Sequence, residues 1–493
     1  MRPLRRRLAT IPRAALLCAL IAAVNGTCWA AITPPTWIPD EQSHLGYAQH
    51  IAETGRLPSD PRSATPGVAP GPSEEQSYMS GSMPFSVEGR PSWSPIRARE
   101  QRRVLESGKL GRSRAGQGLA AGVHPPLYYV AEAIPYKLTS GATLLDRLMA
   151  MRLLSALFAG TTVFFIFLFV RELLPDSPWA WVVGGLAVAF QPLLGFMGGG
   201  VNNDNLAFAA SAALFYGVAR AFHRGLRPGT GAGIGAAVAV GILTKVSIAG
   251  LLPGVAVGLG ALVWRSAPAA RRRALLGTGA AIATAAVPWM AWVAYSKATL
   301  GGTPAAAGGL ASGAATVGLA AAREQFGYVW QALLPRLPFM RLQIPWYPPW
   351  EIYFKGFIGR FGWFEYGFPS IWYSVALGLF APIVGLAGLA LARARRSLKS
   401  RGSEIVTYAV MAAGLAVALE VVAYRYQRTV NAAAFFEQAR YLFPLLPLYG
   451  ALIAAAIKGA GRRWGPAVGG FIVVLAMGHS LFSQLLTIAR FYS

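Results

Sequence analysis

Charge is scarce in this 493-residue chain: 13% of residues are Asp, Glu, Lys or Arg, about half the share of an ordinary soluble domain. That scarcity excludes a typical soluble enzyme, and a 54% hydrophobic content excludes disorder. Cysteine is rarer still. Cys18 and Cys28 are the two, and ten residues along one apolar helix would hold them ~15 Å apart, too far for a disulfide. Five histidines (His44, His50, His124, His223, His479) are scattered, with no CxxC, no HExxH and no Cys/His cluster. Redox chemistry and a structural zinc site therefore have nothing to build on. No Walker-type loop and no GxGxxG preceding a soluble helix appears, so nucleotide-driven chemistry has no support, and no internal repeat of the kind many transporters show is present.

What is abundant is positive charge, 45 Lys plus Arg against 20 Asp plus Glu, a formal net charge of +25. Such a balance suggests nucleic acid until its distribution is read. The basic residues recur in short clusters between long apolar runs, the footprint of membrane topology and not of a nucleic-acid-binding face.

A membrane span needs ~20 mostly apolar residues. Eleven segments qualify: about 14–32, 152–173, 178–198, 205–222, 229–244, 246–264, 275–296, 369–392, 405–424, 441–457 and 466–487. Residues 229–264 form one apolar stretch interrupted by Lys245 and Pro253. The first segment has an alternative reading as a cleaved signal peptide, given its basic start and the small residues near Ala30. With the N-terminus inside, every basic cluster between spans falls on one side: Arg171; Arg220, Arg224 and Arg227; Arg265 and Arg271 to Arg273; Arg393 to Arg401; Lys458, Arg462 and Arg463. That is the positive-inside pattern of a multipass membrane protein. The expected fold is an all-α polytopic membrane protein with about 11 transmembrane helices, one transmembrane domain over 1–493.

Two outside loops are long. The first, 33–150, is Pro/Gly/Ser-rich at 58–95 and basic at 97–114 (Arg97, Arg99, Arg102, Arg103, Lys109, Arg112, Arg114). The second, 297–368, opens on a Gly/Ala linker at 300–322 and ends in an aromatic stretch at 345–369.

Charges at span ends need a reason to be there. WIPDEQSHLGYAQHIAETGRLP follows the first span and puts Asp40, His44 and Tyr47 on one helical face, with Glu41 beside them. VNND at 201–204 closes the third span. Lys245 lies ~24 Å along a helix entering from the cytoplasm, and Arg440 begins the tenth span. Counting thus brings acids (Asp40, Glu41, Asp204) and bases (Lys245, Arg440) to one outer membrane level. Each has a plain alternative: Asp40 and Asp204 as helix caps, Lys245 as a snorkelling side chain, Arg440 as a lipid-phosphate anchor. Their shared level is the signal. Carboxylates facing cations at an outer membrane surface suit group transfer from a lipid-linked phosphate. One carboxylate deprotonates the acceptor hydroxyl, and Lys, Arg or a divalent cation (Mg or Mn) stabilises the leaving phosphate. Asp204, with Asp40, is the candidate metal ligand.

The order PDEQSHLGYAQHIAETGRLP, HPPLYYV at 124–130, VNNDN at 201–205, LTK at 243–245, FGWFEYGFP at 361–369 and QARYLFP at 438–444 resembles a bacterial family of multipass membrane proteins. That family carries a domain of unknown function and is related to the GT-C glycosyltransferases. The resemblance runs through nearly the whole chain and implies a GT-C-like fold with a long first extracytoplasmic loop. It also implies a transferase that moves a sugar from a polyprenyl-phosphate donor to a cell-envelope glycan, lipid or protein, with inversion. By resemblance Asp40 is the general base and Glu41 its partner, and Asp204 corresponds to an acid that binds metal or acceptor. Lys245 and Arg440, with Tyr441, are placed at the donor phosphate, and His44, Tyr47, His124 and Tyr128 along the substrate. Two departures leave the acceptor open: the basic, Pro-rich 58–114 insertion, and the lack of the large C-terminal soluble domain of many GT-C enzymes. A flippase for lipid-linked saccharide or an envelope glycan ligase is the alternative. A flippase calls for repeat symmetry and charges along a path through the membrane, whereas here the unusual polar residues collect at one level.

Overall fold

The computed structural model describes residues 12–57, 73–81, 93–111, 120–299, 319–429 and 436–492. Most of the Pro/Gly/Ser-rich and Gly/Ala-rich stretches, together with Arg112 and Arg114, lie outside the described residues.

Among the described residues the chain is almost entirely helical, its β-structure a two-residue antiparallel pair, Arg360–Phe361 with Tyr366–Gly367. Nine helices among the described residues are long and apolar enough to cross a membrane, or ten if one bent pair is a single span. The chain is an all-α multipass membrane protein. The expected eleven spans each coincide with helical structure, but two differ in kind. Segment 178–198 is two helices, Pro178–Ala189 and Pro192–Gly198, bent by 60°, because Pro192 has no N–H to continue the ladder. Segment 229–244 is the shorter apolar helix Pro228–Thr244, which stops where Lys245 adopts an extended backbone conformation.

One core runs through the bundle, with Trp29, Phe167, Phe169, Phe196, Phe215 and Phe361 fully buried. A smaller cluster of Leu45, Tyr47, Tyr128, Tyr129, Leu148 and Met151 packs the Glu41–Thr54 and Leu127–Leu138 helices onto the start of the Leu144–Leu173 helix. Two glycines set how closely the segments meet. A Cβ on Gly199 would lie 2.6 Å from the Ala30 backbone nitrogen, and one on Gly200 2.3 Å from Ile38. Only glycine lets the 197–205 turn press against the end of the first helix.

The two ends of the bundle are both charged. Arg224 pairs with Glu172 at 2.6 Å and Arg401 with Glu404 at 2.8 Å. Glu172 is ~30 Å along the Leu144–Leu173 helix from Arg152, which marks the other end and the site described next.

Candidate functional site at one end of the bundle

The site begins at a strained corner. Thr36 and Asp40 hold φ of 67° and 64°, left-handed conformations that cost a non-glycine residue of order 1 kcal/mol or more. Asp40 stands at the N-cap of the Glu41–Thr54 helix, yet its side chain makes no capping bond. Its Oδ2 accepts instead from Arg440 Nη2 at 2.7 Å, and the side chain stays 35% exposed.

Glu41, one residue on, has the opposite environment. Its Oε1 accepts from Arg152 Nε at 2.8 Å and the Val201 N–H at 3.0 Å, its Oε2 from Arg152 Nη2 at 2.6 Å and the Thr36 N–H at 2.8 Å. Arg152 also donates to the carbonyls of Ala30, Thr33 and Pro34. Both residues are buried and every Glu41 oxygen is engaged. This forked pair ties the corner to the Leu144–Leu173 helix and holds Asp40 in place.

The 201–205 turn acts as a second brace. Asn202 donates to the Pro39 carbonyl and accepts from the Asp204 N–H, both at 2.9 Å. Asn203 reaches the Thr244 carbonyl at 3.1 Å, and Asn205 the Met197 and Gly200 carbonyls at 2.9 Å. Asp204, buried at the first turn of the Asp204–Arg224 helix, accepts from Lys245 Nζ at 2.5 Å through Oδ1. Lys245 does not snorkel: its side chain is 15% exposed and lies 4.7 Å from the Tyr441 ring centroid. Arg440 starts the 3-10 turn Ala439–Leu445 and is buried. Its Nε faces Asp204 Oδ2 at 3.5 Å without hydrogen-bond geometry, and its guanidinium carbon lies 5.2 Å from the same tyrosine ring. The chain thus forms a row, Lys245–Asp204–Arg440–Asp40, from four distant segments, with two positive and two negative charges.

The aromatic wall beside the row is His44, Tyr47, His124 and Tyr129. His44 Nδ1 is 2.8 Å from the Tyr129 hydroxyl, the His44 and His124 rings are near-parallel at 6.2 Å, and Tyr47 stacks on Tyr129 at 3.8 Å. Burial, reinforced by Lys245, pushes His124 down to about 4. Burial with His124 and Lys245 alongside holds His44 well below its ordinary value. Both imidazoles are neutral near pH 7. Tyr128 lies one layer back, its hydroxyl bonded to Ser155 at 2.8 Å. Ser155 in turn donates to Glu132, whose carboxyl burial raises to about 8.

A small cleft borders Pro39, the neighbour of Asp40, and is lined as well by Leu193, Phe196, Met197, Phe364, Arg360 and Arg440. Arg360, on the short strand, has a side chain 32% exposed and 3.7 Å from Glu351.

The row brings together Asp40, Asp204, Lys245, Arg440 and Tyr441, with His44, Tyr47 and His124 alongside. Sequence reasoning missed Arg152, Tyr129 and Arg360. Arg152 carried a usable signal, a charge at the start of an apolar span; Arg360, in an aromatic loop, carried none. A divalent cation here would need the oxygens of Asp204 and Asp40. Asp204 Oδ1 and Asp40 Oδ2 are bonded to Lys245 and Arg440, and the guanidinium lies between the two carboxylates. No group of three His, Cys, Asp or Glu among the described residues is arranged to hold a metal. The residues present do not fit that ion, and no step below passes through one.

A model of the membrane-protein family DUF2142, described as a predicted membrane protein, matches residues 24–449. No curated protein matches the sequence. Among solved structures, the chain is similar to ArnT from Cupriavidus metallidurans bound to undecaprenyl phosphate. The TM-score is 0.48 at 14% identity, over 96% of this chain and 77% of that one. It is also similar to the archaeal oligosaccharyltransferase AglB from Archaeoglobus fulgidus in complex with an inhibitory peptide and a dolichol-phosphate. There the TM-score is 0.47 at 13% identity, over 97% of this chain and 56% of that one, so the chain spans little more than half of AglB.

Proposed function

The chain belongs to the DUF2142 family of membrane proteins, and from that premise we propose that it is a glycosyltransferase of GT-C type. It moves a sugar from a polyprenyl-phosphate donor to a hydroxyl of a cell-envelope acceptor, at the extracytoplasmic face of a bacterial inner membrane. The observation that carries this reading is the half-exposed carboxylate of Asp40, braced by a strained backbone and touching a buried guanidinium that lines a partly apolar cleft.

Asp40 is the base: the acceptor O–H proton passes to its carboxylate as the acceptor oxygen bonds to the anomeric carbon. The bond from that carbon to the phosphate oxygen breaks on the opposite side, and its electron pair leaves with the polyprenyl phosphate. The configuration therefore inverts. The donor phosphate carries one negative charge and the leaving monoester up to two. The row of Asp40, Asp204, Lys245 and Arg440 is neutral before transfer and positive by one once Asp40 is protonated, so the site gains positive charge as the phosphate gains negative charge. Preorganised cations at a developing charge are a large term in such reactions. Arg440 serves the phosphate from the cleft, and Lys245 holds Asp204 and so Arg440 in position. His44 and His124, neutral, flank the sugar without adding a charge, and Leu193, Phe196 and Met197 suit the first isoprene units.

The test is transfer in proteoliposomes, with radiolabelled polyprenyl-phosphate sugars supplied on the outside and envelope acceptors beside them. Label reaching an acceptor is the expected result. Label crossing the bilayer while still lipid-linked would instead establish a flippase.

A further inference from the structure

Arg440 has one tight bond and two loose ones. Nη2 holds Asp40 at 2.7 Å, Nη1 is 3.4 Å from the Pro39 carbonyl, and Nε faces Asp204 at 3.5 Å out of line. Arg440 and Arg360 both line the cleft. A guanidinium offers five N–H donors in a fixed fork that matches a phosphate through two of them. One of them, Nη2, is already given to Asp40. Arg440 is buried and cannot swing into water to serve both anions, whereas Asp40, 35% exposed, can exchange the guanidinium for water. Two anions brought to one guanidinium in a partly dry site also repel each other.

Resting on the reading above, we infer that Asp40 and the donor phosphate compete for Arg440, so that a phosphate ester entering between Arg360 and Arg440 frees Asp40 to act as base. Linkage is reciprocal: whatever phosphate binding does to the proton affinity of Asp40, neutralising Asp40 does to the affinity for phosphate. The base is held back until the donor is seated, which protects the site from idle chemistry.

The experiment is equilibrium binding of undecaprenyl phosphate to the full-length protein in detergent, for wild type, Asp40→Asn, Asp40→Ser, Arg440→Gln and Arg360→Gln. Inorganic phosphate and phosphatidic acid are run in parallel to separate a free phosphate from a lipid one. The inference predicts that both Asp40 variants bind at least about tenfold tighter than wild type, while Arg440→Gln and Arg360→Gln bind at least about tenfold more weakly. A general structural role for Asp40 would give weaker binding, not tighter. Equal or weaker binding by folded Asp40→Asn and Asp40→Ser, with wild type binding normally, overturns the competition and leaves the transferase reading standing. Wild type that binds none of the three ligands overturns both.

Discussion

Arg152 grips Glu41 with two nitrogens, at 2.6 and 2.8 Å, across 111 residues of chain. Asp40, the neighbour of Glu41, is left part-exposed against Arg440. Two consecutive acids thereby take separate duties, one fixing the backbone and the other meeting substrate.

That division predicts opposite phenotypes. Removing one partner of a buried pair strands the other charge, at ~3–5 kcal/mol. Glu41→Gln and Arg152→Met should each lower thermal stability in detergent strongly, by thermal-shift or size-exclusion assay. Asp40→Asn keeps an amide oxygen that can accept from Arg440, and Asp204 stays 3.5 Å from that guanidinium, so it should cost less than either. Comparable losses for Asp40→Asn and Glu41→Gln would contradict the assignment.

Lys245 acts through Asp204. Lys245→Met leaves a buried carboxylate without its 2.5 Å partner and loosens the seat of Arg440. Transfer should fall ~10²-fold, the usual scale for one preorganised charge, with Lys245→Arg recovering part of it. Steady-state kinetics on monodisperse protein provide the check, and a fall in KM alone would go against the role.

Acid should loosen the protein through the histidine wall. The folded pKa of His124 is about 4, below the ordinary value of 6.5, because of burial and then Lys245. Between those values the unfolded chain binds the extra proton, so stability is fully present above pH 6.5 and is lost as pH falls toward 4. One such histidine contributes a slope of up to about 1.4 kcal/mol per pH unit. His124→Asn should flatten the stability profile between pH 6.5 and 4. An unchanged profile would mean that the imidazole is solvated.

Because Lys245 and Arg440 already hold one oxygen each of Asp204 and Asp40, chelation should not slow the reaction. Rates with EDTA are expected within about twofold of those with Mg or Mn, with no metal retained on elemental analysis. A rate that collapses in EDTA and returns with metal would put the ion back in the site and displace the guanidinium from it.

Hydropathy made the bundle legible because each span had to be apolar on its own account. Where the structure differs from it, the cause is local: Pro192 splits one apolar run into two helices, and the run ending at Lys245 is a shorter helix. The site was legible in part, since Asp40, Asp204, Lys245 and Arg440 are charges at span ends, and charges there need partners. Their pairing was not, because one-dimensional counting gives a level along the membrane normal and says nothing of azimuth. Glu41 and Asp40 looked alike in the sequence; only the position of Arg152, on another helix, separates them. Arg360 stayed hidden because a single arginine in an aromatic loop has no periodicity to betray it.

The central claim is that Asp40 takes the acceptor proton during sugar transfer. Its most direct test counts polyprenyl phosphate released per glycosylated product, for wild type and for Asp40→Asn of equal monodispersity, in the same vesicles. The account predicts one phosphate per product in wild type and a loss of at least about 10³-fold in the variant, with donor still bound. Turnover by Asp40→Asn at the wild-type rate would contradict it.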